Sequence, residues 1–371
     1  MRIFILYLLV FVSKSLVAQE TKKQFPQTPV PPFDYKVDSV EYSSRDSLVH
    51  LAGTLTYPKG MGPFTTLVMI TGSGQQDRDE TIFGHKPFAV IADHLTKNGY
   101  AVLRVDDRGR GKSKGNLKDV TSLDFADDVI TSIQYLQTRK EVNKNKIGVI
   151  GHSEGGFIAP IVYSKYKSLA FIVSLAGPGI SGGDILLMQQ TAPLKGKVSE
   201  KAYDSWYELS GKTLGLIKDQ PSAPDSVILP QMKELYTNWK SQQTEAVIAE
   251  LKLEKVTPEF YAFQLKQELI PWMRFFIVTD PSDYWSQVKC PVLALNGNKD
   301  IQVEAQPNIT GISNALRKGG NSKFKTVIFP GLNHLFQHCE TCTMEEYEKL
   351  EETFSPQVLE MITDWLNKYI K

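Results

Sequence analysis

The pentapeptide Gly151-His152-Ser153-Glu154-Gly155 constrains this chain more than any other segment, because it follows Lys146-Ile147-Gly148-Val149-Ile150, a run that reads as a buried strand. A strand leading through Gly-x-Ser-x-Gly into a helix makes a sharp turn with the serine at its tip. Glycines two residues either side of the serine have no Cβ to clash where strand and helix crowd together. The pentapeptide alone is a common string; the strand before it gives it weight. Ser153 is therefore the candidate nucleophile.

The rest of the chain supplies a fold in which such a turn makes sense. Residues 66–70, 101–105, 171–175, 291–295 and 326–329 are further short apolar runs of the buried-strand kind, and residues 42–57 suit two antiparallel strands. Helical periodicity appears at 88–98, with Phe88, Ile91, Ala92 and Leu95 on one face, and at 125–136. A last helix has Ser355 as N-cap and Pro356 at its first position, with Val358, Leu359, Ile362, Trp365, Leu366 and Tyr369 as its apolar face. Strands alternating with helices predict an α/β fold with a mostly parallel central sheet and helices on both faces. After Gly183 the character changes. Residues 184–285 are rich in Lys, Glu, Gln and Leu, carry scattered aromatics such as Tyr203, Trp206, Tyr207, Trp239, Phe260, Tyr261 and Trp272, and read as a helical cap inserted between two strands. The core is thus expected in two pieces, 38–183 and 286–371, and residues 19–37, rich in Pro, Gln and Lys, read as a linker.

The 371 residues can bury a large core, and 42% hydrophobic with 22% charged residues is ordinary for a globular protein. A net charge of +1 provides no field for nucleic acid. At the start of the chain Arg2 precedes an apolar run from Ile3 to Val12, and the segment closes on Leu16-Val17-Ala18. The run is too short to span a bilayer but suits a signal peptide over 1–18, which predicts export to a bacterial periplasm and no stable membrane insertion after cleavage. Of the three cysteines, Cys339 and Cys342 form a C-x-x-C pair, compatible with a local disulfide or with two free thiols. A zinc site would need a second pair of ligands and only His338 lies nearby, so no metal is expected.

A serine hydroxyl becomes a useful nucleophile when a histidine takes its proton and an acid orients that histidine. In nucleophile-elbow folds the chain order is Ser, acid, His. Of the six histidines only His334 and His338 follow Ser153. His334 lies in a loop just past the last buried strand and is preferred; His338, four residues on, is the alternative. Asp300 ends Leu295-Asn296-Gly297-Asn298-Lys299-Asp300, immediately after a buried strand, where such sheets place site residues; Glu304 is its substitute. Ser153 would attack, His334 would act as base and then acid, and Asp300 would fix the imidazole tautomer. The oxyanion needs backbone N–H donors: Glu154, which follows the nucleophile, and Ser73 in Thr71-Gly72-Ser73-Gly74-Gln75, with Gly74 and Gln75 as neighbouring choices.

Two other motifs dissolve on inspection. Residues 106–113 end in Gly-Lys-Ser, but Asp106 stands where a phosphate loop needs its first glycine, and Lys114 where a dinucleotide fingerprint starting at Gly109 needs its third. The segment reads as a tight turn with Arg108 paired to a carboxylate, and Gln76-Asp77-Arg78-Asp79-Glu80 as an ion-pair cluster at the mouth of the site.

The stretches Thr71 to Glu80, Gly84 to Phe88, Asp106 to Ser113, Gly151 to Gly155, Pro291 to Asp300, Asn333 to Gln337 and Glu351 to Pro356 together resemble an α/β-hydrolase with a helical cap. The chain is most similar to bacterial carboxylesterases of the esterase D type, which are grouped with serine aminopeptidase-like (S33) and acyl-CoA thioesterase-like hydrolases. The resemblance implies Ser153, Asp300 and His334 as the triad, ester hydrolysis, no cofactor, and a small-molecule ester as partner. Small acyl or aryl esters, acylated glycans among them, are the expected substrates. Two other readings stand beside this one: an aminopeptidase or amidase, which would need a cap carboxylate such as Glu208 or Asp204 to hold a substrate amine, and a catalytically silent binding protein. A cytoplasmic acyl-CoA substrate is at odds with export.

Overall fold

The computed structural model describes residues 25–370, so the expected signal peptide over 1–18 lies outside the described residues. Eight strands form one sheet: β1 (Tyr35–Ser43), β2 (His50–Pro58), β3 (Phe64–Ile70), β4 (Ala101–Val105), β5 (Val142–His152), β6 (Ile172–Leu175), β7 (Val292–Gly297) and β8 (Phe324–Phe329). Their order is β1-β2-β4-β3-β5-β6-β7-β8. The pairs β1–β2 and β2–β4 are antiparallel, and every later pair is parallel. This is the α/β-hydrolase architecture expected from the sequence.

The central strands are mostly apolar where helices cover the sheet, because a parallel strand buried on both faces has little room for polar residues. Leu67, Val149, Ile150, Val173, Leu293 and Leu295 are fully buried. The helices that pack around them carry their own start signals. Pro87 opens Pro87–Lys97, where a missing N–H costs nothing. Thr121 and Asp124 form a capping box at Ser122–Leu136. Register then decides where function can sit. Ile70 is level with Gly151, Gly151 with Ser174, Ser174 with Ala294, and Gly297 with Phe329. The loops after β3, β5, β7 and β8 therefore leave the sheet along one edge.

At that edge the chain turns from β5 into the helix Glu154–Lys165 with no room to spare. A Cβ on Gly151 would lie 2.1 Å from Gly155 O, one on Gly155 2.1 Å from Ile70 O, and one on Gly156 2.6 Å from Gly177 Cα. Ser153 sits between them at φ 53 and ψ −119, backbone that a non-glycine residue adopts only when its surroundings enforce it. The enforcement is visible: Ser153 N–H donates to Leu175 O at 2.8 Å, and Gly156 N–H donates to Ser153 O at 2.9 Å.

Two expectations change, and one open alternative is decided. The segment read as a linker over 19–37 is, where described, part of the structure. Phe25 is buried with its ring stacked on His85 at 3.5 Å, and Gln27 Oε1 accepts from Thr353 N and Phe354 N. The first strand also begins at Tyr35, inside that segment and well before residue 42. Tyr35, Val40 and Tyr42 are buried, Lys36 and Glu41 are exposed and Asp38 is half-buried, the mixed composition of an edge strand, which resembles a linker when read for hydrophobicity alone. The cap boundary moves as well. A separate compact unit spans Ser181–Asp280, and the helix Ser282–Trp285 belongs to the core unit, where Trp285 is fully buried and donates to Pro178 O at 3.2 Å. Finally, Cys339 and Cys342 are joined as a disulfide, while Cys290 is free and buried. Among the described residues no helix is long and apolar enough to cross a membrane.

The unit Ser181–Asp280 is helical and has its own core. Trp206, Tyr236, Trp239 and Tyr261 pack with Met232 and Leu209, so most of the aromatic scatter is structural. One group in that core is costly. Glu268 is fully buried; its Oε1 accepts from Gln190 Nε2 at 3.1 Å, and its Oε2 has no partner among the described residues. Burial pushes its carboxyl up to about 8, against the bond from Gln190.

Two predictions follow from this packing. Replacing Gly155 with alanine drives a Cβ into a backbone carbonyl, and chemical denaturation should show a loss of about 3 kcal/mol or more; unchanged stability would mean the turn is looser than described. For Glu268 the folded state holds a proton that the unfolded state gives up near 4.5. Between 4.5 and about 8 the folded protein binds more protons, so stability falls with rising pH by up to about 1.4 kcal/mol per unit and levels off above 8. Melting curves of Glu268→Gln and the parent should diverge in the variant's favour as pH rises through that window. A difference independent of pH would contradict the burial of an ionisable Glu268.

Candidate active site

Four loops from the C-terminal edge of the sheet supply the candidate residues. Ser153 projects from the turn after β5, and its Oγ has no hydrogen-bond partner among the described residues. A serine at a helix N-terminus ordinarily caps the helix with that oxygen; here φ 53 turns the side chain out of capping position.

Asp300 and His334, 34 residues apart in the chain, are in contact. His334 Nδ1 lies 2.7 Å from Asp300 Oδ2, and both side chains are buried, at 5% and 0% exposure. The other carboxylate oxygen, Oδ1, accepts from Gln302 N at 2.8 Å and Val303 N at 2.9 Å. Asp300 is thus held by its own turn, and it faces the ring as an acceptor. That bond assigns the proton to Nδ1 and leaves Nε2 with its lone pair. The rejected alternatives lie elsewhere: His338 is exposed and pairs with Glu352 at 2.8 Å, and Glu304 precedes the helix Ala305–Lys318.

The loop after β3 runs beside Ser153. A Cβ on Gly72 would stand 3.2 Å from Ser153 Cβ and 3.1 Å from Glu80 Oε1. Gly72 N–H is already spent, donating to Glu80 Oε1 at 2.6 Å. The next N–H, that of Ser73, has no hydrogen-bond partner among the described residues. Glu154 opens the helix behind Ser153, and its side chain turns away into the core, accepting from Ser122 Oγ at 2.7 Å.

Reading the sequence missed what lies under this loop. Glu80 belongs to the segment that reads as an ion-pair cluster at the mouth of the site, but it is 1% exposed. Its neighbours behave as expected of such a run: Arg78 pairs with Asp106 through two bonds of 3.0 and 2.6 Å, and Asp79 with Arg104 and Lys86. Arg108 likewise clasps Asp128 with two bonds of 2.7 Å. Glu80, in contrast, lies against His152, whose Nδ1 is 3.1 Å from Glu80 Oε1 and whose Nε2 is 3.0 Å from His334 O. Burial alone would lower the His152 pKa; the charge and hydrogen bond of Glu80, with the His334 carbonyl, outweigh it and hold it above the ordinary histidine value. Asp107, on the other side of the loop, accepts from Thr71 Oγ1 at 2.6 Å and Gln76 N at 2.8 Å. Desolvation raises its carboxyl to about 8 against those bonds, with the charges of Glu80 and Glu154 adding to the rise. The only sequence clue to these residues was position: His152 inside the pentapeptide, and Glu80 and Asp107 just past two strand ends.

The chain is similar to known hydrolases. The family model for serine aminopeptidase, S33, matches residues 86–257, which include Ser153 and stop short of Asp300 and His334. Esterase EstD of Thermotoga maritima is 24% identical over 337 residues, 90% of this chain and 70% of that one. Among solved structures, an esterase of Pyrococcus furiosus superposes with a TM-score of 0.51 at 16% identity, covering 91% of this chain and 92% of the other. An α/β hydrolase from Penicillium gives a TM-score of 0.51 at 16% identity, covering 90% and 99%. The sheet order, the strained serine turn and the structural likenesses give the chain the α/β-hydrolase fold, and the likeness to Esterase EstD supports an esterase-type hydrolase on it.

Proposed function

We propose that this chain hydrolyses carboxylic esters of small acyl or aryl groups through a Ser-His-Asp triad. The observation that carries the reading is the buried 2.7 Å contact between His334 Nδ1 and Asp300 Oδ2, on the sheet edge where Ser153 projects. In this scheme His334 Nε2 takes the proton of Ser153 Oγ as the oxygen attacks the ester carbonyl, and Asp300 stabilises the imidazolium that forms. The tetrahedral oxyanion is met by the backbone N–H groups of Ser73 and Glu154. Collapse breaks the bond to the alcohol, which leaves with the proton from His334, and an acyl group remains on Ser153. Water activated by the same imidazole then releases the acid and restores the serine.

The serine aminopeptidase match supports a second reading, amide hydrolysis. The two cap carboxylates considered for an amine pocket do not favour it, since Glu208 is exposed and paired with Lys212 at 2.6 Å and Asp204 is exposed. Export to an oxidising compartment is part of the proposal and is supported by the Cys339–Cys342 disulfide.

A p-nitrophenyl ester series from acetate to octanoate tests the reading. Turnover should be highest at short chains, and Ser153→Ala should lower it about a million-fold. Equal turnover in parent and variant would remove Ser153 from the mechanism, and activity confined to aminoacyl amides would favour the second reading. Asp300→Asn keeps the shape but not the tautomer, so kcat should fall about ten-thousandfold while the variant melts with the parent; a fall below tenfold would assign the orienting acid elsewhere.

A further inference from the structure

The buried Glu80–His152 pair has no part in the mechanism above, yet it touches both halves of the site. Glu80 Oε1 takes the Gly72 N–H at 2.6 Å on one side and faces His152 Nδ1 at 3.1 Å on the other, and His152 Nε2 reaches His334 O at 3.0 Å. A continuous chain of three hydrogen bonds therefore runs from the loop that offers the oxyanion donor to the loop that carries the base. Ser153 follows His152 directly. The ring of His152 lies 4.8 Å from that of His334.

The chemistry of the link is informative. His152 has an acceptor at each ring nitrogen, a carboxylate and a carbonyl, so both contacts are made together only when the pair keeps a proton that neutral imidazole and carboxylate would not share. Glu80 Oε2 is buried with no partner among the described residues, a position in which a lone carboxylate is strongly disfavoured and a charge-balanced one is tolerated. Glu80 also has φ 50, so its backbone is held in an uncommon conformation at this point. An expensive group in a strained place, bonded to two site loops, is what a positioning element requires.

We propose that Glu80 and His152 are positioning residues that hold the 71–76 loop and the His334 loop in register, so that the Ser73 N–H and the imidazole meet the same tetrahedral centre. The Gly72 peptide is the hinge of the arrangement. With its N–H tied down to Glu80, the following N–H is presented to the nucleophile, and loss of the tie lets the loop shift. Misplacement on the scale of an ångström costs about a hundredfold in rate without changing what binds. This inference rests on the nucleophile and oxyanion assignments of the proposed function.

The test uses the full mature chain and two nearly isosteric variants, Glu80→Gln and His152→Gln, with Glu80→Ala as the harsher case. Each is assayed for p-nitrophenyl acetate kinetics, for its rate of labelling by a fluorophosphonate probe, and for Tm. Labelling needs an activated serine and a phosphoryl oxyanion hole but no knowledge of the natural substrate. The expected result is a fall of about ten- to a hundredfold in both kcat and labelling rate for the glutamine variants, a larger fall for Glu80→Ala, and KM within about threefold of the parent. If one variant fails to fold, the other carries the test. Parent-like kcat and labelling in either folded glutamine variant would overturn the proposal, as would a rise in KM with kcat preserved. A parent protein that the probe does not label would instead overturn the nucleophile assignment, and this proposal with it.

Discussion

Everything at this site depends on how closely β5, the helix Glu154–Lys165 and the end of β3 approach one another. Gly155 meets the Ile70 carbonyl where any side chain would collide, and Gly151 meets Gly155 in the same way. That proximity forces Ser153 into its left-handed conformation, brings the loop after β3 alongside the nucleophile, and places the helix N-terminus behind it. The glycines are therefore not incidental to the pentapeptide. They are the reason a strand, a helix and a loop can converge on one oxygen atom.

Convergence has an electrostatic consequence. Glu80, Asp107 and Glu154 are all carried close to Ser153 by the same packing, and three ionised carboxylates would oppose the negative charge that the proposed acyl transfer develops. The structure answers this in three ways. Asp107 is held towards its neutral form by desolvation, Glu80 is matched with His152, and Glu154 turns its side chain to Ser122. The fourth acid of the region, Asp300, is the one aimed at the imidazole, where negative charge helps.

The sheet and the paired acid and histidine were legible in the sequence because they are written in short-range terms. Buried strands appear as apolar runs, and the ends of β7 and β8 could be counted off residue by residue to reach Asp300 and His334. The rest depended on long-range packing. Glu80 sits in a run of charges in which Arg78 and Asp79 do form half-buried ion pairs, so nothing local marks it as buried. Strand β1 is an edge strand with charged residues interspersed among its buried ones, and hydrophobicity alone does not separate it from a linker. Phe25 is one aromatic residue in a polar segment, and only its ring partner His85, far along the chain, shows that it is anchored. The aromatic residues of Ser181–Asp280 mostly fill that unit's own core, a role no motif could separate from lining a pocket.

The central claim is that Ser153 carries the acyl group between two half-reactions. The most direct measurement is mass spectrometry of the protein quenched in acid during turnover of a slow ester, followed by proteolysis and mapping of the adduct. The account predicts a transient acyl group on Ser153 in the peptide containing Gly151 to Gly155, which disappears when substrate is exhausted and does not form in Asp300→Asn at the same rate. An adduct on another residue, or turnover with no acyl-enzyme at any quench time, would contradict it.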